Sequence, residues 1–198
     1  IVTEDERYSY LLSSKDLPMI EYLSEILAAG VSSLKIEGRM KTVYYVAVVT
    51  RTYRWALDAA LKDPEAYRCA PEWLAELDKV SHRGYTTGFY LKHKTEAFAG
   101  LNPEESYRRA YGLAGTVLQY LPEEGKILVE LRNQLTAGDE TELLLPETTL
   151  TIDSTTMTDE DGKPLATGHN SYRVYFQVDR PVPAGAVLRR RLTRAQIL

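Results

Sequence analysis

A single cysteine, Cys69, stands in the 198 residues of this chain. One thiol forms no intrachain disulfide and supplies no cysteine-rich metal site, and such a composition suits a reducing compartment. No apolar run approaches the roughly 20 residues needed to cross a bilayer, and there is no basic-then-apolar leader. A cytoplasmic protein without membrane contact is therefore expected. Histidine is scarce as well: His82, His93 and His169 lie far apart, so the paired histidines of a metalloprotease helix are missing. Positive charge is not in excess. A net charge of −4 argues against binding nucleic acid through bulk charge and leaves local patches, of which Arg189-Arg190-Arg191 with Arg194 is the clearest. The first residue is Ile1, met in mid-pattern, and a piece of a longer protein is expected.

What remains is ordinary for a globular chain: 44% hydrophobic and 26% charged, with length for one domain or two small ones. Tyr8-Ser9-Tyr10-Leu11-Leu12 reads as a short strand or extended entry. Ser13-Ser14-Lys15-Asp16-Leu17-Pro18 is a helix-start signal, with a capping Ser or Asp and Pro in the first turn. Ile20, Leu23, Ile26 and Leu27 recur at helical spacing up to Gly30, a C-terminal stop. Val31 to Ile36 then reads as a buried strand, so the rhythm is that of a parallel α/β unit.

From Thr42 to Leu61 the β-branched residues favour a strand, but twenty residues without a breaker are too many for one. A helix is expected, with Val43, Ala47, Thr50, Tyr53, Leu57 and Ala60 tracing one face. Pro71 to about Val80 is a second, shorter helix. Between strand and long helix lies an elbow, Lys35-Ile36-Glu37-Gly38-Arg39-Met40-Lys41, four charges around a glycine. Charged residues at the C-terminal end of a parallel strand are where α/β folds place their chemistry. Lys35, Glu37 and Arg39 are thus the candidate catalytic residues and Lys41 a candidate substrate-binding one. Lys and Arg would hold an anion, and Glu37 would orient Arg39 or act as acid or base. The plainer reading is a solvated strand end with local ion pairs.

Ser81-His82-Arg83-Gly84-Tyr85-Thr86-Thr87-Gly88-Phe89-Tyr90 is irregular and rich in rings. His82, Arg83 and Tyr85 join the substrate-binding candidates, with Phe89 and Tyr90 able to stack on bases; core packing and structural hydrogen bonding are the alternatives. Residues 91–106 read as a linker. After Tyr107 come six or so short strands divided by turns, the pattern of a small closed β-barrel. Arg189, Arg190 and Arg191 on its last strand are the nucleic-acid candidates, or else a solvated tail.

The words Ser14-Lys15-Asp16-Leu17, Leu34-Lys35-Ile36-Glu37-Gly38-Arg39-Met40-Lys41, Val80-Ser81-His82-Arg83 and Tyr85-Thr86-Thr87-Gly88-Phe89-Tyr90 resemble the C-terminal part of the collagenase-like peptidase family U32. In the barrel, Gly115-x-Val117-Leu118, Glu130-x-Arg132-Asn133 and Gly138-Asp139 fit the same family. The resemblance implies an α+β chain: residues 1–90 as the terminal helix–strand–helix elements of a (β/α) barrel, a linker over 91–106, and a small β-barrel over 107–198. It implies no cofactor held by this chain, and an iron–sulfur cluster on upstream cysteines of the full-length protein. Family members are catalogued as peptidases, while bacterial relatives are associated with hydroxylating a pyrimidine of transfer or ribosomal RNA, with prephenate implicated. The residues do not favour proteolysis, because Cys69 and His82 share no local protease signature, and of the two chemistries that the resemblance implies hydroxylation is the expected one. Expected partners are RNA or protein, the missing N-terminal half, and a second copy or that half covering an exposed strand edge. The alternative is a non-catalytic β-barrel that docks RNA or protein for an active centre elsewhere.

Overall fold

Thr42 accepts the Tyr45 backbone N–H on its hydroxyl at 3.2 Å and so starts the longest helix. That helix, α2, runs Val43–Lys62. The computed structural model describes residues 2–4, 9–11, 15–88, 90–91 and 109–193. Ahead of α2 lie an antiparallel pair, β1 (Val2–Glu4) and β2 (Ser9–Leu11), then a 3-10 turn and α1 (Leu23–Ala28). After it comes α3 (Pro71–Leu77), with Pro71 in its first turn where a missing N–H costs nothing. The second half of the chain is β3 (Tyr111–Leu121), β4 (Lys126–Leu131), β5 (Leu135–Thr136), β6 (Glu140–Leu144), β7 (Thr149–Asp153), β8 (Thr167–Gly168), β9 (Arg173–Gln177) and β10 (Val187–Arg191).

The fold is α+β and divides into two units. One takes Ile1–Glu37 with Thr52–Arg109, the other Gly38–Arg51 with Ala110–Leu198. In the first unit Ile20, Leu23, Ala56, Ala60, Tyr67, Leu77 and Val80 are buried. Tyrosine hydroxyls tie its pieces together: Tyr53 accepts the Met19 N–H at 2.9 Å, and Tyr67 donates to the Ile20 carbonyl at 2.6 Å. Each such bond contributes on the order of 1 kcal/mol net.

In the second unit six antiparallel strands form one sheet in the order β7-β6-β10-β3-β4-β9, and β5 pairs with β8. Strict alternation buries Ile127, Val129 and Leu131 of β4 against Phe176, Leu143 and Leu188. Gly115 is required by close approach: a Cβ there would meet the Glu130 carbonyl oxygen at 2.7 Å. Register shifts in β3 between Val117 and Gln119, and in β10 between Leu188 and Arg189, curl the sheet.

Four expectations need correction. The sheet is curled but not closed. The segment after β7 turns through Ser154–Thr156 and pairs Thr158 with Tyr175 of β9, occupying the edge that closure would use. Residues 31–36 form no strand, since no strand among the described residues offers a ladder there, and Val31 and Leu34 are exposed. The helix expected from Ser13 or Asp16 begins only at Ile20, because Asp16 spends its carboxylate on a distant segment described below. The buried face of α2 is Tyr44, Val48, Val49, Thr52, Ala56 and Ala60, while Val43 and Thr50 face solvent; length without a breaker located the helix, and packing chose its face. Residues 92–108, which include most of the expected linker, lie outside the described residues, as do Phe89, His93 and Arg194.

Candidate functional site

The elbow begins as exposed chain. Lys35, Glu37 and Arg39 are exposed, Lys41 half-exposed, and Met40 stands 92% exposed. A turn closes where the Lys41 N–H donates to the Gly38 carbonyl at 2.9 Å. Gly38 suits that turn because a Cβ would press on Val46 Cγ2 at 3.0 Å. The Lys41 ammonium lies 4.8 Å from the centre of the Tyr45 ring, a cation–π contact one helical turn along. Lys35 and Glu37 belong to the first unit, Arg39 and Lys41 to the second.

The His82–Gly88 loop is a tighter construction. His82 is buried, its ring stacked on that of Tyr85 at 4.3 Å and 9°. Its Nδ1 accepts the Gly84 N–H at 3.1 Å, which assigns the proton to Nε2. Nε2 faces Asp78 Oδ1 at 3.8 Å, too long for a hydrogen bond. The Tyr85 hydroxyl donates to the Leu77 carbonyl at 2.8 Å, anchoring the loop to α3. Asp16 completes the set. Its Oδ2 accepts the Arg83 N–H at 2.8 Å, its own N–H donates to the Gly84 carbonyl at 3.0 Å, and its carbonyl accepts the Thr86 N–H at 3.0 Å. His82, Arg83 and Tyr85 are thus brought together. Asp16 escaped the sequence reading because an Asp before a helical pattern reads first as a cap; the word Ser14-Lys15-Asp16-Leu17 was the signal that could have found it.

The arginine run on β10 is built into the sheet. Arg189 is wholly buried, opposite Glu142 in register, with Nε 2.7 Å from Glu142 Oε2 and its guanidinium 4.9 Å from the centre of the Tyr111 ring. Arg190 pairs with Asp139 at 3.4 Å and Arg191 with Glu140 at 3.2 Å. The Tyr111 hydroxyl donates to Glu140 at 3.1 Å. Burial, then the charges of Glu142 and Glu140, push this phenol up to about 12. Arg189 therefore offers no donor to a phosphate in solvent, and its two neighbours already hold carboxylates.

Cys69 is half-buried, its thiol pushed up by burial and by the charge of Glu21. Its bonds run to the Ala70 carbonyl and the Tyr67 hydroxyl, not to an imidazole, so the thiolate–histidine pair of a cysteine protease is not assembled. An iron–sulfur cluster needs several thiolates. One cysteine does not fit it, and no cluster of His, Cys, Asp and Glu among the described residues could hold a metal ion. No helix among the described residues is long and apolar enough to cross a membrane. Two open clefts occur in the second unit. One is lined by Glu130, Asp159, Glu160, Asp161 and Arg173 among others, the second by β7 and residues 177–180. None of the elbow residues lines either.

Comparison with known proteins covers nearly the whole chain. The model described as Peptidase family U32 matches residues 2–99, and that of the Peptidase family U32 C-terminal domain matches residues 109–189. The tRNA hydroxylation protein P1 of Bacillus subtilis is 35% identical over 193 residues, 94% of this chain and 44% of that protein. The tRNA hydroxylation protein P of Escherichia coli is 32% identical over 184 residues, 88% of this chain and 38% of that protein. A collagenase of Porphyromonas gingivalis is 28% identical over 154 residues, 75% of this chain and 41% of that protein. The chain spans less than half the length of these relatives.

Proposed function

The chain belongs to peptidase family U32, and on that premise we propose that it is the C-terminal part of a protein that hydroxylates tRNA. The observation that carries this reading is the pair of tRNA hydroxylation proteins, which align with 94% and 88% of the chain. The collagenase relative is more distant, and the described residues lack a thiolate–histidine pair or a metal-binding cluster, which removes support from peptide-bond hydrolysis. In this reading residues 1–90 are the C-terminal part of a (β/α)-barrel-like domain begun by other sequence, and the iron–sulfur ligands lie on that other sequence. A tRNA substrate places the protein in the cytoplasm.

Within that assembly the elbow grips the anionic co-substrate. Lys35, Arg39 and Lys41 are the cations for its carboxylates, and Glu37 is the acid or base. The His82–Gly88 loop contacts the substrate through Arg83 and Tyr85, with His82 as a neutral support. The strand-built stretch from Ala110 to Thr193 is a weaker candidate for docking RNA. Between Ala110 and Thr193, twelve carboxylates stand against eight Lys and Arg, and six of those cations are in ion pairs. Nucleoside mass spectrometry of tRNA from a strain lacking the full-length protein tests the reading. Loss of a hydroxylated pyrimidine, restored by the intact gene, is the expected result; an unchanged nucleoside profile overturns it.

A further inference from the structure

We infer that Asp16 is a positioning residue for the reaction, setting the backbone from which the Arg83 side chain departs. The inference rests on the tRNA hydroxylation reading and extends it to a residue outside the elbow. Asp16 and Arg83 are 67 positions apart, yet three hydrogen bonds from this one residue reach Arg83, Gly84 and Thr86. Two are backbone to backbone and form an isolated parallel bridge with Tyr85. The third is the carboxylate on the Arg83 N–H, and it alone depends on the side chain. A loop held at three of four residues has little freedom to slide, so the backbone of Arg83 is set before any substrate arrives. The arrangement has a second brace on the far side, where His82 Nδ1 accepts the Gly84 N–H. Asp16 therefore fixes the N–H of Arg83 and the carbonyl of Gly84, while His82 fixes the N–H of Gly84.

Positioning of this kind matters because a displacement of about 1 Å in a binding group can cost on the order of a hundredfold in rate. The N–H of Arg83 needs an acceptor oxygen, which Asp16 Oδ2 supplies at 2.8 Å. Asp16→Asn presents an amide oxygen at the same place, whereas Asp16→Ala presents nothing.

The test places both substitutions in the full-length gene in its own strain. It reads the ratio of hydroxylated to unmodified nucleoside in tRNA against the amount and melting temperature of the folded protein. Asp16→Ala is expected to lower that ratio about tenfold or more per folded molecule, with Asp16→Asn within about twofold of wild type. Arg83→Gln keeps the backbone N–H and loses the guanidinium, so it is expected to lower the ratio per folded molecule like Asp16→Ala. Equal ratios for Asp16→Ala and Asp16→Asn overturn the inference, as does a normal ratio in Arg83→Gln, and the latter decides the matter even where Asp16→Ala fails to fold. A deletion strain whose tRNA is unchanged fails the tRNA reading itself, a result separate from either of these.

Discussion

In the run Arg189-Arg190-Arg191 every guanidinium meets a carboxylate of β6 or of the turn before it. In Lys35-x-Glu37-x-Arg39-x-Lys41 the side chains leave exposed or half-exposed chain that belongs to no sheet. On paper the first looks more like a nucleic-acid site, since three adjacent arginines make a denser patch. In the fold it is the less available of the two. A strand places its neighbours at fixed spacing, so the acidic residues of 139–142 fall opposite the basic ones of β10 and cancel them. Irregular chain has no such fixed register, and Lys35, Glu37 and Arg39 stay exposed on it. Charge density along a sequence is thus a poor guide to charge at a surface until the strand register is known.

Substitutions can sharpen the contrast between the buried cations and the elbow. The largest effect is expected from Arg189→Ala, which strands Glu142 beside a vacated core position and should lower stability by about 3 kcal/mol in a denaturant titration. Adding Glu142→Leu in an Arg189→Met background should recover much of that loss, because a matched apolar pair avoids desolvating charge. Arg51→Met comes next. Arg51 donates to the carbonyls of Leu145 and Thr148 at 3.0 Å each; the Thr148 carbonyl keeps the Leu145 N–H at 2.9 Å, and losing both guanidinium bonds should cost about 2 kcal/mol.

Alkaline pH tests the same buried cluster through Tyr111. Its folded-state phenol titrates near 12 against about 10 when unfolded. The stability it contributes is present below pH 10 and is lost as pH rises toward 12, because the unfolded chain releases the proton first. Tyr111→Phe should flatten that part of the alkaline decline in a pH series of melting curves. The smallest stability changes are expected at Arg191→Gln and Lys35→Gln, each within about 0.5 kcal/mol. The two should part company in function. Lys35→Gln should lower tRNA hydroxylation in the full-length protein, and Arg191→Gln should leave it unchanged; equal effects would erase the distinction drawn between the two stretches.

Much of the local structure was legible in the residues. The long breaker-free run from Thr42 marked α2, and Pro71 marked α3. Less of the candidate site was legible. His82, Arg83 and Tyr85 were visible as a ring-rich irregular stretch, but Asp16 was not visible as their support, because its partners lie 67 residues away and a capping role satisfied every local rule.

Helices α2 and α3 and the strand-rich character of the chain after residue 110 followed from the sequence alone, since they depend on run length, breakers and alternation within a few residues. Which face of α2 is buried, whether the sheet closes, whether 31–36 finds a ladder, and which arginines keep their charge available were decided by tertiary structure. Each of those depends on what stands opposite in space. A hydrogen bond or an ion pair needs both partners, and the sequence around one of them does not disclose the other.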